Sequence, residues 1–137
     1  MRSVDTNVLA RFFVDDPDDP EAKRQRPHAT RVMSETVYVT VTVLLEFEWV
    51  LRGFYQLPPS EVGRVLRALS GLANVTLEDR DGVLAALDWH ERGMDLADAL
   101  HLARGRRCEA FVTFDRRLAR RAGKAAGAPR VELAQGE

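Results

Sequence analysis

The chain has 137 residues, with 20 Lys or Arg against 21 Asp or Glu and an apolar fraction of 45%. That length suits one domain, 1–137, which buries roughly two-thirds of its unfolded surface without disulfides or a structural metal, and the apolar content excludes a disordered chain. The longest apolar stretch, Val37 to Leu45, is nine residues with two threonines, far short of a membrane span.

The opening MRSVDTNVLAR mixes acid and base and reads as no secretory signal. The single Cys108 permits no internal disulfide and no multi-cysteine zinc site, and reads as a small buried hydrophobe. A reduced cytoplasm is the expected location. Near-zero net charge hides a polarity. Residues 1–22 hold six acids against Arg2 and Arg11, whereas residues 101–137 hold nine bases against four acids. A locally basic end suits a polyanion, although exposed Arg-rich helices are also ordinary solvated surface.

In chain order, Ser3 to Asp5 reads as a strand end and Asn7 to Val14 as a helix directly behind it. The prolines and aspartates of residues 14–20 form a loop that stops one helix and caps the next. Residues 21–34 have helical composition, with Pro27 expected to kink or split them. The β-branched run Val37 to Val41 predicts a strand, with Thr42 capping a helix that runs to Gly53. Pro59-Ser60-Glu61 opens a helix with Val62, Val65, Leu66, Leu69 and Leu72 at helical spacing. Val75 to Leu77 is a short strand, followed by helices over 79–92 and 95–107. Ala110 to Phe114 is a strand ending at Asp115, a helix runs to about Ala122, and Arg130 to Leu133 reads as a last strand. Strands alternating with helices predict an α/β domain with a mostly parallel sheet covered on both faces.

In such folds the ligand crevice lies at the carboxyl ends of the strands. Asp5 and Asp115 fall at that place, each with a helix immediately after it, so each also reads as an N-cap. Glu46 and Asp98 stand among apolar neighbours, Glu46 pointing inward, with no Lys or Arg within four positions of either. Buried carboxylates are costly unless paired or bound to metal. If Asp5, Glu46, Asp98 and Asp115 converge, each pair at 4 Å repels by about 4 kcal/mol at an effective dielectric near 20. Such a cluster takes up protons or binds cations, and oxygen-only ligands select hard ions such as Mg²⁺ or Mn²⁺. Metal-bound water in a carboxylate cage is the usual machinery of phosphodiester hydrolysis.

Four segments carry a resemblance: Val4-Asp5-Thr6-Asn7-Val8-Leu9-Ala10-Arg11, Leu45-Glu46-Phe47-Glu48-Trp49-Val50-Leu51, Asp95-Leu96-Ala97-Asp98-Ala99-Leu100-His101 and Thr113-Phe114-Asp115-Arg116. In this order and spacing they resemble the PIN domain and, within it, the VapC-type ribonuclease toxins of bacterial toxin–antitoxin pairs. The resemblance implies a three-layer α/β/α sandwich around a mostly parallel five-stranded sheet, and an acidic site binding Mg²⁺ or Mn²⁺. It also implies RNA cleavage, commonly as a homodimer, held inactive by a cognate VapB-like antitoxin. Carried over by position, Asp5, Glu46, Asp98 and Asp115 are the metal-site acids.

Around them, Asp95 reads as a helix N-terminal residue, with a water-mediated metal contact as the other reading. Thr6, Asn7 and Thr113 are placed to orient a carboxylate or water, with helix capping the rival role for Thr6 and Asn7. Arg11, Arg116 and Arg117 are candidate phosphate contacts beside a reading as solvated surface. Glu48 is expected at a surface or interface and His101 packed or facing a partner. Trp49 and Trp89 read as core or dimer contacts before base-stacking platforms. Pro27 departs from the family, which usually makes that segment one continuous helix.

Two other readings compete. One is a non-catalytic PIN-like binding module. The other is a Mg²⁺-dependent phosphoryl-transfer domain, either a receiver-like phosphoacceptor or a haloacid-dehalogenase-like phosphatase. Lys124 lies beyond a helix, where a receiver wants it after a late strand, and Asp5-Thr6-Asn7 breaks the Asp-x-Asp of the dehalogenases.

Overall fold

The computed structural model describes residues 1–134, so the last three positions of the expected 1–137 domain lie outside the described residues. The chain clusters into two compact units, Met1–Glu78 and Asp79–Glu137.

In the first unit, β1 (Arg2–Ser3), β2 (Val37–Val39) and β3 (Val75–Leu77) form a parallel sheet in that order. Two helices, α1 (Thr6–Phe13) and α2 (Pro20–Val32), connect β1 to β2. From β2 to β3 the chain runs through α3 (Val41–Trp49), a π-helical turn (Val50–Phe54) and α4 (Pro59–Ser70). Parallel neighbours need such crossovers, because a tight hairpin cannot reverse the chain into the same direction. Val37, Val39, Leu44, Phe47, Leu51, Leu66 and Leu69 are at most 2% exposed and supply much of this unit's core. On α4 the residues Val62, Val65, Leu66 and Leu69 are buried as their spacing predicts.

The second unit contains α5 (Arg80–Glu91), α6 (Leu96–Arg104), β4 (Phe111–Thr113), α7 (Arg116–Gly123) and β5 (Val131–Leu133), with β4 and β5 parallel. α5 and α6 pack on each other, and Val83, Leu87, Trp89, Leu96, Leu100 and Leu102 are buried. The Trp89 indole N–H donates to the Ala126 carbonyl at 3.1 Å, which satisfies the polar end of a buried ring. Asp79 caps α5 from a left-handed backbone conformation (φ 49°), and the Arg106 guanidinium holds its carboxyl below the usual carboxylate range.

The α/β class and the parallel pairing are as expected. The single five-stranded sheet is not: the strands divide three and two. Runs of β-branched residues mark strands but carry no pairing information, and ladders of two or three residues constrain it little. Three local expectations also change. α2 runs continuously through Pro27, which is exposed, so the carbonyl of Lys23 deprived of its amide partner can turn to water. Thr40, not Thr42, caps α3, accepting from the Val43 N–H at 3.3 Å. Beyond Trp49 the backbone widens into the π-helical turn, which includes Gly53, where a glycine cap was expected. Among the described residues no helix is long and apolar enough to cross a membrane.

Candidate functional site

In the first unit the ladder leads directly to an acid. Val4 is buried and its N–H donates to the Tyr38 carbonyl, so the next residue, Asp5, emerges past the end of β1. Asp5 is exposed and is the N-cap of α1, its Oδ1 accepting from the Thr6 N–H at 2.8 Å. A carboxylate has about four acceptor positions, so one capping bond leaves it able to serve a second role. Thr6 is buried, and its hydroxyl donates to Glu46 Oε1 on α3. It therefore orients a carboxylate, while the capping role considered for it and for Asn7 belongs to Asp5. Asn7 stands beside them in an open pocket whose lining includes Asp5, Thr6, Arg11, Glu46, Trp49, Phe54 and Tyr55. Arg11 is half-buried and held from two sides, its Nε donating to Gln25 Oε1 at 2.9 Å and a terminal nitrogen to the Tyr55 hydroxyl at 3.0 Å. A guanidinium tied in this way is a wall of the pocket more than a freely reaching phosphate contact.

The glutamate doublet reverses the expected orientation. Glu46 is exposed at the pocket, whereas Glu48, expected at a surface, is 3% exposed. Glu48 is paired with Arg52 one turn on, Nε to Oε2 at 2.8 Å. Removing the guanidinium leaves a buried carboxylate poorly compensated. Because Arg52 itself is 53% exposed and partly screened, Arg52→Ala is expected to cost about 1–3 kcal/mol. Urea unfolding measures this, and an unchanged midpoint would show that water reaches Glu48.

In the second unit the acids lie at the starts of two helices. Asp95 caps α6 and accepts from the Asp98 N–H at 3.2 Å. Asp98, in the first turn, is half-buried. Burial pushes its carboxyl upward, the charges of Asp95 and Asp115 push it further, and His101 opposes them. Asp115 follows β4 and caps α7, accepting from the N–H groups of Arg117 and Leu118 at 2.9 and 3.1 Å. The Thr113 hydroxyl accepts from the Asp115 N–H at 3.0 Å, so it fixes that residue's backbone. Arg116 and Arg117 are exposed on α7, as a phosphate contact or a solvated face requires.

One expectation fails here: Cys108 is an exposed free thiol, not a buried hydrophobe, while His101 is exposed, which removes its packed reading and leaves the partner-facing one. Cys108 follows the turn that ends α6, where the backbone bond from its N–H to the Gly105 carbonyl holds it outside the apolar face. The two tryptophans also divide. Trp89 is core, while Trp49 is 56% exposed in the pocket wall. Sequence reasoning missed that wall. The available signal was Trp49 with Gly53 four residues on, followed by Phe54 and Tyr55.

Among the described residues no group of three or more His, Cys, Asp or Glu side chains is arranged as a metal-holding cluster. The acids are instead organised locally: Asp5 and Glu46 around Thr6, and Asp95, Asp98 and Asp115 by mutual charge. Compared with known proteins, residues 3–124 match the model of the PIN domain family, a span containing every one of these acids. No curated protein matches the chain.

Proposed function

The chain belongs to the PIN domain family, a family of nucleases, and we propose that it is a Mg²⁺- or Mn²⁺-dependent endoribonuclease of the VapC type. Asp5, Glu46, Asp98 and Asp115 are the proposed metal-site acids, with Asp95 at the margin. The observation that carries this reading is the crowding of carboxylates at Asp98, whose ionised form is disfavoured by burial and by two like charges. A divalent cation relieves both penalties at once. Metal use is typical of PIN domains, and the donor set fits a hard ion because every proposed ligand is a carboxylate oxygen.

When bound, such an ion lowers the pKa of water and stabilises charge on phosphoryl oxygens. The protein's own part is positional. Thr6 holds Glu46 in one orientation, Asp5 and Asp115 are fixed by the first amides of α1 and α7, and Asp98 is fixed in the first turn of α6. Arg116 and Arg117 supply positive charge for the RNA backbone. The four motif segments support the narrower assignments by likeness: RNA as substrate, a cognate VapB-like antitoxin and a homodimer; the single cysteine supports a cytoplasmic setting.

The test is cleavage of RNA by the purified chain, freed of any antitoxin. Cleavage is expected with Mn²⁺ or Mg²⁺, none with EDTA, and none by Asp5→Asn. Undiminished cleavage by that variant overturns the assignment. RNA binding without cleavage in either metal points to a binding module.

A further inference from the structure

The helix that carries Glu46 ends irregularly. A π-helical turn interrupts few helices and occurs frequently at functional sites, and here it spans Val50–Phe54. It leaves two aromatic rings in water: Trp49 is 56% exposed and Phe54 65%. The indole is not loose. A Cβ built on Gly53 would stand 3.3 Å from Trp49 Cε2, 3.6 Å from Cδ2 and 3.5 Å from Cζ2. Cε2 and Cδ2 are the ring-fusion atoms, and near-equal distances to both place Gly53 over the flat face of the indole. One face of Trp49 thus rests on the backbone of the turn. Phe54 is held edge-on by Tyr55, with ring centroids 4.9 Å apart and planes at 90°, and the Tyr55 hydroxyl is anchored by Arg11. All this forms a wall of the pocket whose rim carries Asp5 and Glu46.

We propose that the open face of Trp49, with Phe54 beside it, is a stacking subsite for one unpaired nucleobase of the RNA. The inference rests on the ribonuclease reading and adds to it a base-binding element. A pocket lined both by aromatic rings, Trp49, Phe54 and Tyr55, and by the carboxylates of Asp5 and Glu46 suits a ligand that is planar at one end and phosphorylated at the other. A nucleotide has that form, its phosphate meeting the acids through a cation. A second copy of the chain packed on Trp49 fits less well, because it would draw water from the neighbouring Asp5 and Glu46 carboxylates without neutralising them. Stacking is tolerant of base identity but needs an unstacked base, so the subsite selects single-stranded RNA over duplex.

Two measurements test this. With a short single-stranded RNA of mixed sequence and Mn²⁺, Trp49→Ala is expected to raise KM about tenfold, with a smaller effect on kcat, and Trp49→Phe to restore most of the loss. With Ca²⁺ in place of Mn²⁺, a hard cation that can bridge phosphate and carboxylates, the same RNA is expected to quench indole emission of the parent protein but not of Trp49→Phe, whose remaining Trp89 is buried. Quenching that persists in Trp49→Phe, or an unchanged KM in Trp49→Ala, overturns the subsite. So does a dimer that Trp49→Ala converts to monomer in sedimentation, which would make this face a contact between copies. Quenching without cleavage in any metal leaves the subsite standing and removes the nuclease reading, so the two failures are distinguishable.

Discussion

Asp98→Asn is expected to melt at a higher temperature than the parent in metal-free buffer, and to cleave RNA more slowly by roughly a hundred- to a thousandfold. The opposite signs follow from one cause. In the folded chain the Asp98 carboxyl lies above its ordinary value of 3.8, first because it is half-buried and then because Asp95 and Asp115 are nearby. A group raised in this way adds stability that is complete below its unfolded pKa and is lost as pH rises through the folded one. At neutral pH the ionised carboxylate therefore works against the metal-free fold. Asparagine keeps the size and the position in the first turn of α6 while removing the charge. The favourable interaction of an acid with a helix N-terminus is lost too, and the higher melting temperature is expected because burial and the charges of Asp95 and Asp115 act together against it. Saturating Mn²⁺ reverses the order, because a ligand bound only by the native state at a hundred times its Kd adds about 2.7 kcal/mol. The parent is expected to gain that increment and Asp98→Asn to lose most of it. Thermal melts in EDTA and in Mn²⁺, run beside an RNA cleavage assay, read all of these. A variant that melts lower in EDTA, or that cleaves at the parental rate, removes Asp98 from the metal site.

The acids that cap helices were legible because their position is set by local chemistry. Asp5, Asp95 and Asp115 precede helices in sequence, and in the structure each accepts first-turn amides. Capping and metal binding do not exclude one another, since the cap bonds at Asp5 and Asp115 fall on Oδ1. Strands β2 and β3 were legible from β-branched runs, and α4 from its apolar spacing. The orientation of the Glu46–Glu48 doublet was not. A helix that is apolar nearly all round has no clear stripe, so periodicity cannot say which of two glutamates two positions apart turns inward. The missed signal was Arg52, four residues after Glu48, the favourable spacing for an ion pair on one helix face. Sheet membership was likewise beyond local reasoning, because strands of two or three residues record in their sequence only that they are extended. Pro27 misled for a related reason. Its cost depends on whether the carbonyl it strands can meet water, which is a property of the fold and not of the residue.

Phe47→Ala is expected to lower the unfolding free energy by about 3–5 kcal/mol and the melting temperature by more than about 10 °C. Phe47 is fully buried on α3, its ring 5.9 Å from that of Phe13 on α1 and tilted by 39°. Deleting a ring there removes its transfer free energy and leaves a cavity that helices and strands cannot wholly collapse. Domains of this kind are stable by only about 5–15 kcal/mol, so the loss is a large share of the whole. Phe47 also lies between Glu46 and Glu48, one at the pocket and one paired inside with Arg52. The buried ring thus anchors the helix that carries Glu46, while the Thr6 hydroxyl orients its carboxylate. Glu46→Gln separates the two roles: the position is exposed, so stability is expected to move by no more than about 0.5 kcal/mol while cleavage falls. In urea, Phe47→Ala is expected to shift the midpoint with an unchanged slope, the mark of a weakened native state and not a changed unfolded one. A loss below about 1 kcal/mol would mean that the surroundings close over the missing ring.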